Sequence, residues 1–277
     1  MSTRGRMTKM GRFSVLGLAA ALGAGQMAGQ AFAEEKKAGP SVGGVAGGAG
    51  GVVKGVVAYS GKTPERKPIT DLATNPFCKA AHEGPLPLRD TFIFGKNGEK
   101  TTLANALVYV SKGLEGKKFD APKTPVVLDQ KACLYSPHVV GVVAGQAVDI
   151  LNSDNTLHNV QASPKNNPAF NDGMPVPMKI TKTFEKSEID INVRCAVHPW
   201  MGAWIHVLPH PYFAVSAEDG SYEIHGLPAG EYEVRVIHEM VIFNAEPVKL
   251  KVEEGKEAKA DFEVKADKEK RREAGVM

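Results

Sequence analysis

Cys195 to Met201, read Cys-Ala-Val-His-Pro-Trp-Met, places a thiol, an imidazole and a thioether within one short loop. Sulfur and imidazole donors suit copper better than magnesium or calcium, which take oxygen. One more imidazole would complete a His₂Cys set with a weak axial Met. His158 is the candidate, in Asn-Ser-Asp-Asn-Thr-Leu-His-Asn-Val, where His158 and Val160 fall on the same side of an extended segment. Upstream of the loop, Ile189, Ile191 and Val193 alternate with Asp190, Asn192 and Arg194, and the same period of two carries Cys195 onto the apolar side. The expected metal ligands are therefore His158, Cys195, His198 and Met201, with His158 and Cys195 pointing inward.

The strands that must hold these side chains are short and follow one another closely. Extended segments are expected at Val126 to Leu128, Val139 to Val143, Ala147 to Leu151, Asn159 to Ala162, Ile180 to Phe184, Ile189 to Arg194 and Ala203 to Val207. Asn166 to Met178, rich in Asn, Pro and Met, reads as a loop. Four ligand types in this order after an alternating strand, with the lead-in Ser136-Pro137-His138-Val139-Val140, Gly145-Gln146-Ala147-Val148 and Asn152, resemble the cupredoxin family of blue copper proteins. The short ligand loop is similar to the amicyanin type. The resemblance spans roughly Pro125 to Leu208.

It implies a Greek-key β-sandwich holding one type 1 copper, single-electron transfer, and a redox protein partner such as a cytochrome c or a periplasmic oxidoreductase. By the same likeness the edge of His198 is the electron port, with Pro199 stiffening the loop and Trp200 shielding it. This sequence departs from the pattern at Ala196, where the family often has a hydroxyl-bearing residue. Asn159, the residue after the first histidine, is then left to bond backbone rather than a side chain. No second group of histidines assembles a catalytic copper, so an enzyme is not expected. His138 reads as a structural or surface histidine.

On either side of this segment lies a second pattern. Val52 to Tyr59, Arg89 to Phe94 and Ala104 to Val110 read as strands, with a turn signal at Lys96-Asn97-Gly98, and Thr63 to Pro87 as a long loop pinned by Cys78. After Pro211 come strands at Phe213 to Ser216, Ser221 to His225, Tyr232 to His238, Val248 to Glu253 and Ala258 to Val264. The run Asp-Gly-Ser-Tyr-Glu-Ile-His-Gly-Leu-Pro-Ala-Gly-Glu-Tyr-Glu-Val from Asp219 resembles the carboxypeptidase regulatory-like, or transthyretin-like, β-sandwich module. Two sheets without exposed edges need more strands than the C-terminal part supplies. The expected organisation is an all-β chain: residues 51–122 with 211–266 as the transthyretin-like sandwich and 123–210 as the cupredoxin domain inserted into it. A simple tandem order is the alternative.

Arg4, Arg6, Lys9 and Arg12, the apolar run from Phe13 to Ala24 and the small-residue site Ala31-Phe32-Ala33 together read as a secretory signal peptide over residues 1–33. The run is short of the ~20 apolar residues that a spanning helix needs, so no integral membrane segment is expected once the leader is gone. Residues 34–50 form a Gly-rich linker and 267–277 a charged tail. Leader removal leaves 30 basic against 31 acidic side chains, so no nucleic-acid surface follows from the pI. The expected location is the periplasm or the outside of the cell. With Cys195 on the metal, Cys78 and Cys133 either form a disulfide or remain as two buried thiols. Two other functions fit the same residues: a periplasmic copper carrier or buffer, or a cell-envelope structural or binding module whose metal site is vestigial.

Overall fold

The computed structural model describes residues 50–240 and 243–266. The expected leader, the linker apart from Gly50, and the charged tail lie outside the described residues. The N-terminal described segment contains β1 (Gly51–Ser60), the short helix α1 (Pro76–Ala80), β2 (Phe94–Asn97), β3 (Lys100–Leu103) and β4 (Leu107–Lys112). The middle of the chain holds β5 (Val126–Lys131), β6 (Leu134–Ser136), β7 (Val139–Val143), β8 (Ala147–Asn152), β9 (His158–Ala162), β10 (Phe170–Met174), β11 (Met178–Thr183), β12 (Glu188–Arg194) and β13 (Gly202–Leu208). The C-terminal part adds β14 (Phe213–Val215), β15 (Ser221–Leu227), β16 (Gly230–Ile237), β17 (Phe243–Asn244), β18 (Val248–Val252), β19 (Glu257–Lys259) and β20 (Phe262–Ala266). The described chain is all-β apart from α1 and a 3₁₀ turn over Thr70–Thr74.

The nine middle strands form two sheets, ordered β10-β9-β12-β13-β7 and β11-β8-β5-β6. Their inward residues, including Leu128, Val140, Val142, Ile150, Val160 and Ile205, pack into one core. The remaining strands form two further sheets. One runs β17-β20-β1-β3-β2, with β15 and β19 also paired to β1, and the other runs β14-β4-β16-β18. In both, strands from before β5 pair with strands from after β13, as in β1 with β15 and β4 with β16. Val53, Val57, Val108, Val110, Ile224, Val234 and Phe262 belong to their shared core.

The two cores meet through β7, whose five residues are all buried because it has protein on both faces. Val140 and Val142 face the middle core, while Val139 and Val143 join Leu107, Leu208, Phe213 and Val215 on the other side. Gly141 sits under Phe213, and a β-carbon there would lie 2.3 Å from the ring. Only a residue without a side chain allows this approach.

Four local expectations are corrected. No strand spans Arg89 to Phe94; the hairpin starts at Phe94 and turns at Gly98-Glu99, with Gly98 at φ 60°. Helical turns occupy Thr70–Thr74 and Pro76–Ala80 inside the expected loop, the second capped by Asn75 with Pro76 at its first turn. Part of the Asn166 to Met178 stretch is strand β10, because its backbone finds the open edge of β9. Lastly, Asp190 at φ 63° sits in a register shift of β12, so Ile189 is turned outward and 36% exposed. The inward alternation holds from Ile191 through Val193 to Cys195.

Candidate metal centre

Strand alternation delivers the first histidine. In β9, His158, Val160 and Ala162 are buried and the residues between them are not. In β8 the same alternation hides Val148, Ile150 and Asn152. Asn152 then braces the connecting turn: its amide donates to the Thr156, Met174 and Val176 carbonyls, and its oxygen accepts the Asp154 N–H at 2.9 Å. The second group arrives on the β12–β13 connection, closed by Cys195 N–H to Met201 O at 3.3 Å and Met201 N–H to His198 O at 2.9 Å.

These elements bring His158, Cys195 and His198 together, with one ligand atom from each lying within 4.8 Å of the others. The two Nδ1 atoms are 3.0 Å apart, and Cys195 Sγ is 3.8 Å from His198 Nδ1. Met201 is buried in the same core as Cys195. His158, His198, Met201 and Cys195 are 0%, 2%, 2% and 3% exposed, so the centre is closed to solvent. Two imidazole nitrogens and a sulfur converging in a dry pocket fit a thiophilic ion such as copper.

The surroundings favour the metal-binding form of Cys195. Burial by itself would raise its pKa, but His158 and the N–H groups of Asn159, His198 and Val197 outweigh burial and hold it below the usual thiol range. The Asn159 N–H donates to Sγ at 3.4 Å. Asn159 also bridges the two strands, its oxygen accepting the Ala196 N–H at 3.2 Å and its amide donating to the Asn171 side chain and Asp172 O. The His198 pKa is lowered, first by burial and then by the neighbouring His158.

Asp154 is a residue of the site for which the sequence reading found no role. Its Oδ2 accepts from His158 Nε2 at 2.8 Å and from the Cys133 N–H at 2.8 Å, while Oδ1 accepts the Ala132 N–H at 2.7 Å. A carboxylate on Nε2 keeps the proton there and leaves Nδ1 free for a metal. The signal was present as Asp-x-x-x-His, a spacing that brings the two together only because the Asn152-braced turn folds back.

Within the segment expected as a loop pinned by Cys78, residues 69–82 form a strap whose place over the site was not foreseen. Ile69, Leu72 and Cys78 pack into the middle core, and Cys78 is bonded to Cys133. His82 meets Ala132 O at 2.7 Å. The strap lies over the outer edge of His198: Asn75 Nδ2 is 3.1 Å and Cys78 Sγ 3.6 Å from Nε2. Asn75 and Cys78 thus cover the edge of His198 that the likeness makes the electron port. Trp200 packs beside His198 with ring centres 5.0 Å apart and donates from Nε1 to Cys133 O at 3.0 Å.

His138 is not among the converging ligand residues. Its Nδ1 faces Gly202 O at 3.2 Å and its Nε2 faces Glu239 Oε1 at 2.9 Å, a structural pair between the two halves of the fold.

No protein-family profile and no curated protein matches the chain. Among solved structures it is similar to a Cu-containing nitrite reductase from Thermus scotoductus, at 22% identity over 34% of this chain and 24% of that one, with a TM-score of 0.29. The chain thus spans about a quarter of that reductase. It is also similar to a purple cupredoxin from Nitrosopumilus maritimus, at 22% identity over 30% of this chain and 99% of that one, TM-score 0.26. A Cu(I) mutant of amicyanin matches at 18% identity over 36% of this chain and 98% of that one, TM-score 0.29.

Proposed function

We propose that this is an exported copper protein that carries single electrons between redox partners, with one type 1 copper held by His158, Cys195, His198 and Met201. The observation that carries this reading is the convergence of the His158, Cys195 and His198 ligand atoms within 4.8 Å in a buried pocket. Copper bound there supplies the one-electron couple. The chain's own part is to keep the donors fixed in both oxidation states, which lowers the reorganisation that each transfer requires. Asp154 orients His158, the Asn159 N–H donates to the Cys195 sulfur, and the disulfide-tied strap keeps water from His198.

The surrounding sheets of residues 51–112 and 213–266 are, in this reading, a transthyretin-like module into which the copper-binding sandwich is inserted. Leu157 and Val197, each next in sequence to a histidine ligand, are 47% and 42% exposed and offer apolar surface to a redox protein such as a cytochrome c.

Copper delivery is the second reading, and ligands this deeply buried beneath a cross-linked strap favour retention over release. Mixing the copper-loaded, reduced protein with oxidised cytochrome c in a stopped-flow instrument separates the two. Cytochrome reduction within milliseconds to seconds, with copper staying on the protein, supports the electron carrier. Slow reduction together with copper passing to an apo-acceptor supports the carrier of metal.

A further inference from the structure

The hydrogen bonds around His198 form a chain with both ends fixed. At one end the Cys78 N–H donates to Asn75 Oδ1 at 3.2 Å, the N-cap of α1, so the Asn75 amide nitrogen is the atom that faces His198 Nε2 at 3.1 Å. An NH₂ group can only donate, whereas the disulfide-bonded Cys78 sulfur 3.6 Å away is a weak acceptor, so Nε2 accepts from Asn75 and the His198 proton sits on Nδ1. At the other end Asp154 Oδ2 already accepts two backbone or ring donors and requires the His158 proton on Nε2. His158 Nδ1 is then a free lone pair 3.0 Å from His198 Nδ1, placed to accept its proton. Every donor in the chain meets an acceptor.

We propose that Asn75 is a positioning residue that sets the tautomer of His198 and couples metal occupancy to the strap. The inference rests on the copper reading above. A metal at the paired Nδ1 atoms needs both lone pairs, so the His198 proton must move to Nε2, where the Asn75 amide presents another donor. Rotating that amide about its last bond offers Oδ1 to the new Nε2–H and takes it from the Cys78 N–H. Loading the site therefore uncaps α1, while the Cys78–Cys133 bond keeps the strap in place. Aspartate at this position accepts on both sides and removes the conflict.

The test uses the full leaderless protein with its disulfide intact. Nitrogen-15 imidazole spectra of the metal-free chain should show His198 protonated at Nδ1, and Asn75→Asp should move that proton to Nε2. Copper(I) affinity, read by competition with a chromophoric chelator, should rise roughly 10-fold in Asn75→Asp, the usual reach of a residue that orients a metal ligand. In the native protein the Cys78 amide should exchange with solvent faster once copper is added. His198 protonated at Nε2 in the native metal-free chain overturns the proposal, as does an unchanged tautomer in Asn75→Asp. Because the tautomer is read without metal, a chain with the expected proton that takes up no copper sinks the copper reading alone.

Discussion

The Asp154 carboxylate holds His158 Nε2 at 2.8 Å and the Cys133 N–H at 2.8 Å through the same oxygen. One buried side chain thus ties a metal-ligand candidate to the turn that carries the disulfide. Asp154→Asn keeps the size but puts an amide where up to three donors converge. Copper affinity should fall roughly 10- to 100-fold, and the folded state should lose about 1–3 kcal/mol from donors left unpaired. Chelator competition and urea unfolding measure the two effects. Native affinity in the variant would show that the backbone alone orients His158.

Gly141 lies against the Phe213 ring where the two cores meet. A methyl at residue 141 would lie 2.3 Å from the ring, and Phe213 is fully buried with no room to retreat. Gly141→Ala should cost about 1–3 kcal/mol by overpacking. Phe213→Leu should recover part of that loss when combined with it, and a double-mutant cycle on thermal unfolding reads the coupling. Strictly additive losses would mean that the two residues do not share the space.

The His138–Glu239 pair gives stability a pH dependence. Burial by itself would lower His138, but the bond to Glu239 outweighs it and holds the imidazolium above its usual range. For Glu239, burial alone would raise the carboxyl, but His138 outweighs it and holds the group below its usual range. The histidine's contribution is complete below its unfolded value of about 6.5 and fades as pH rises through the raised folded value; the glutamate's is complete above about 4.3 and fades on acidification. The gap in unfolding temperature between the native protein and Glu239→Gln should therefore be widest between those two values and narrow above neutrality. A gap independent of pH would contradict the charged pair.

The convergence of His158, Cys195 and His198 was legible because it depends on short-range rules. Strand alternation sends His158 inward, and a three-residue spacing brings Cys195 and His198 into one loop. What escaped depends on chain segments distant in sequence. Nothing local to Asn75 shows that it will lie on a histidine 123 residues away. Composition made Phe170–Met174 look like a loop, and an unpaired neighbour edge made it a strand. The period of two predicted Ile189 inside, and it failed because Asp190 takes positive φ where its N–H donates to His206 Nδ1 at 3.1 Å. The Cys78–Cys133 bond was one of two open alternatives, since cysteine count alone cannot bring Cα atoms to 5.5 Å.

The central claim is most directly tested by adding Cu(II) to the protein lacking residues 1–33 while recording visible absorption and paramagnetic resonance, with Cys195→Ser as the control. The account predicts an intense thiolate-to-copper band that saturates at one copper per chain and is absent from the serine variant. A colourless protein whose weak copper binding is the same with and without the Cys195 sulfur would contradict it.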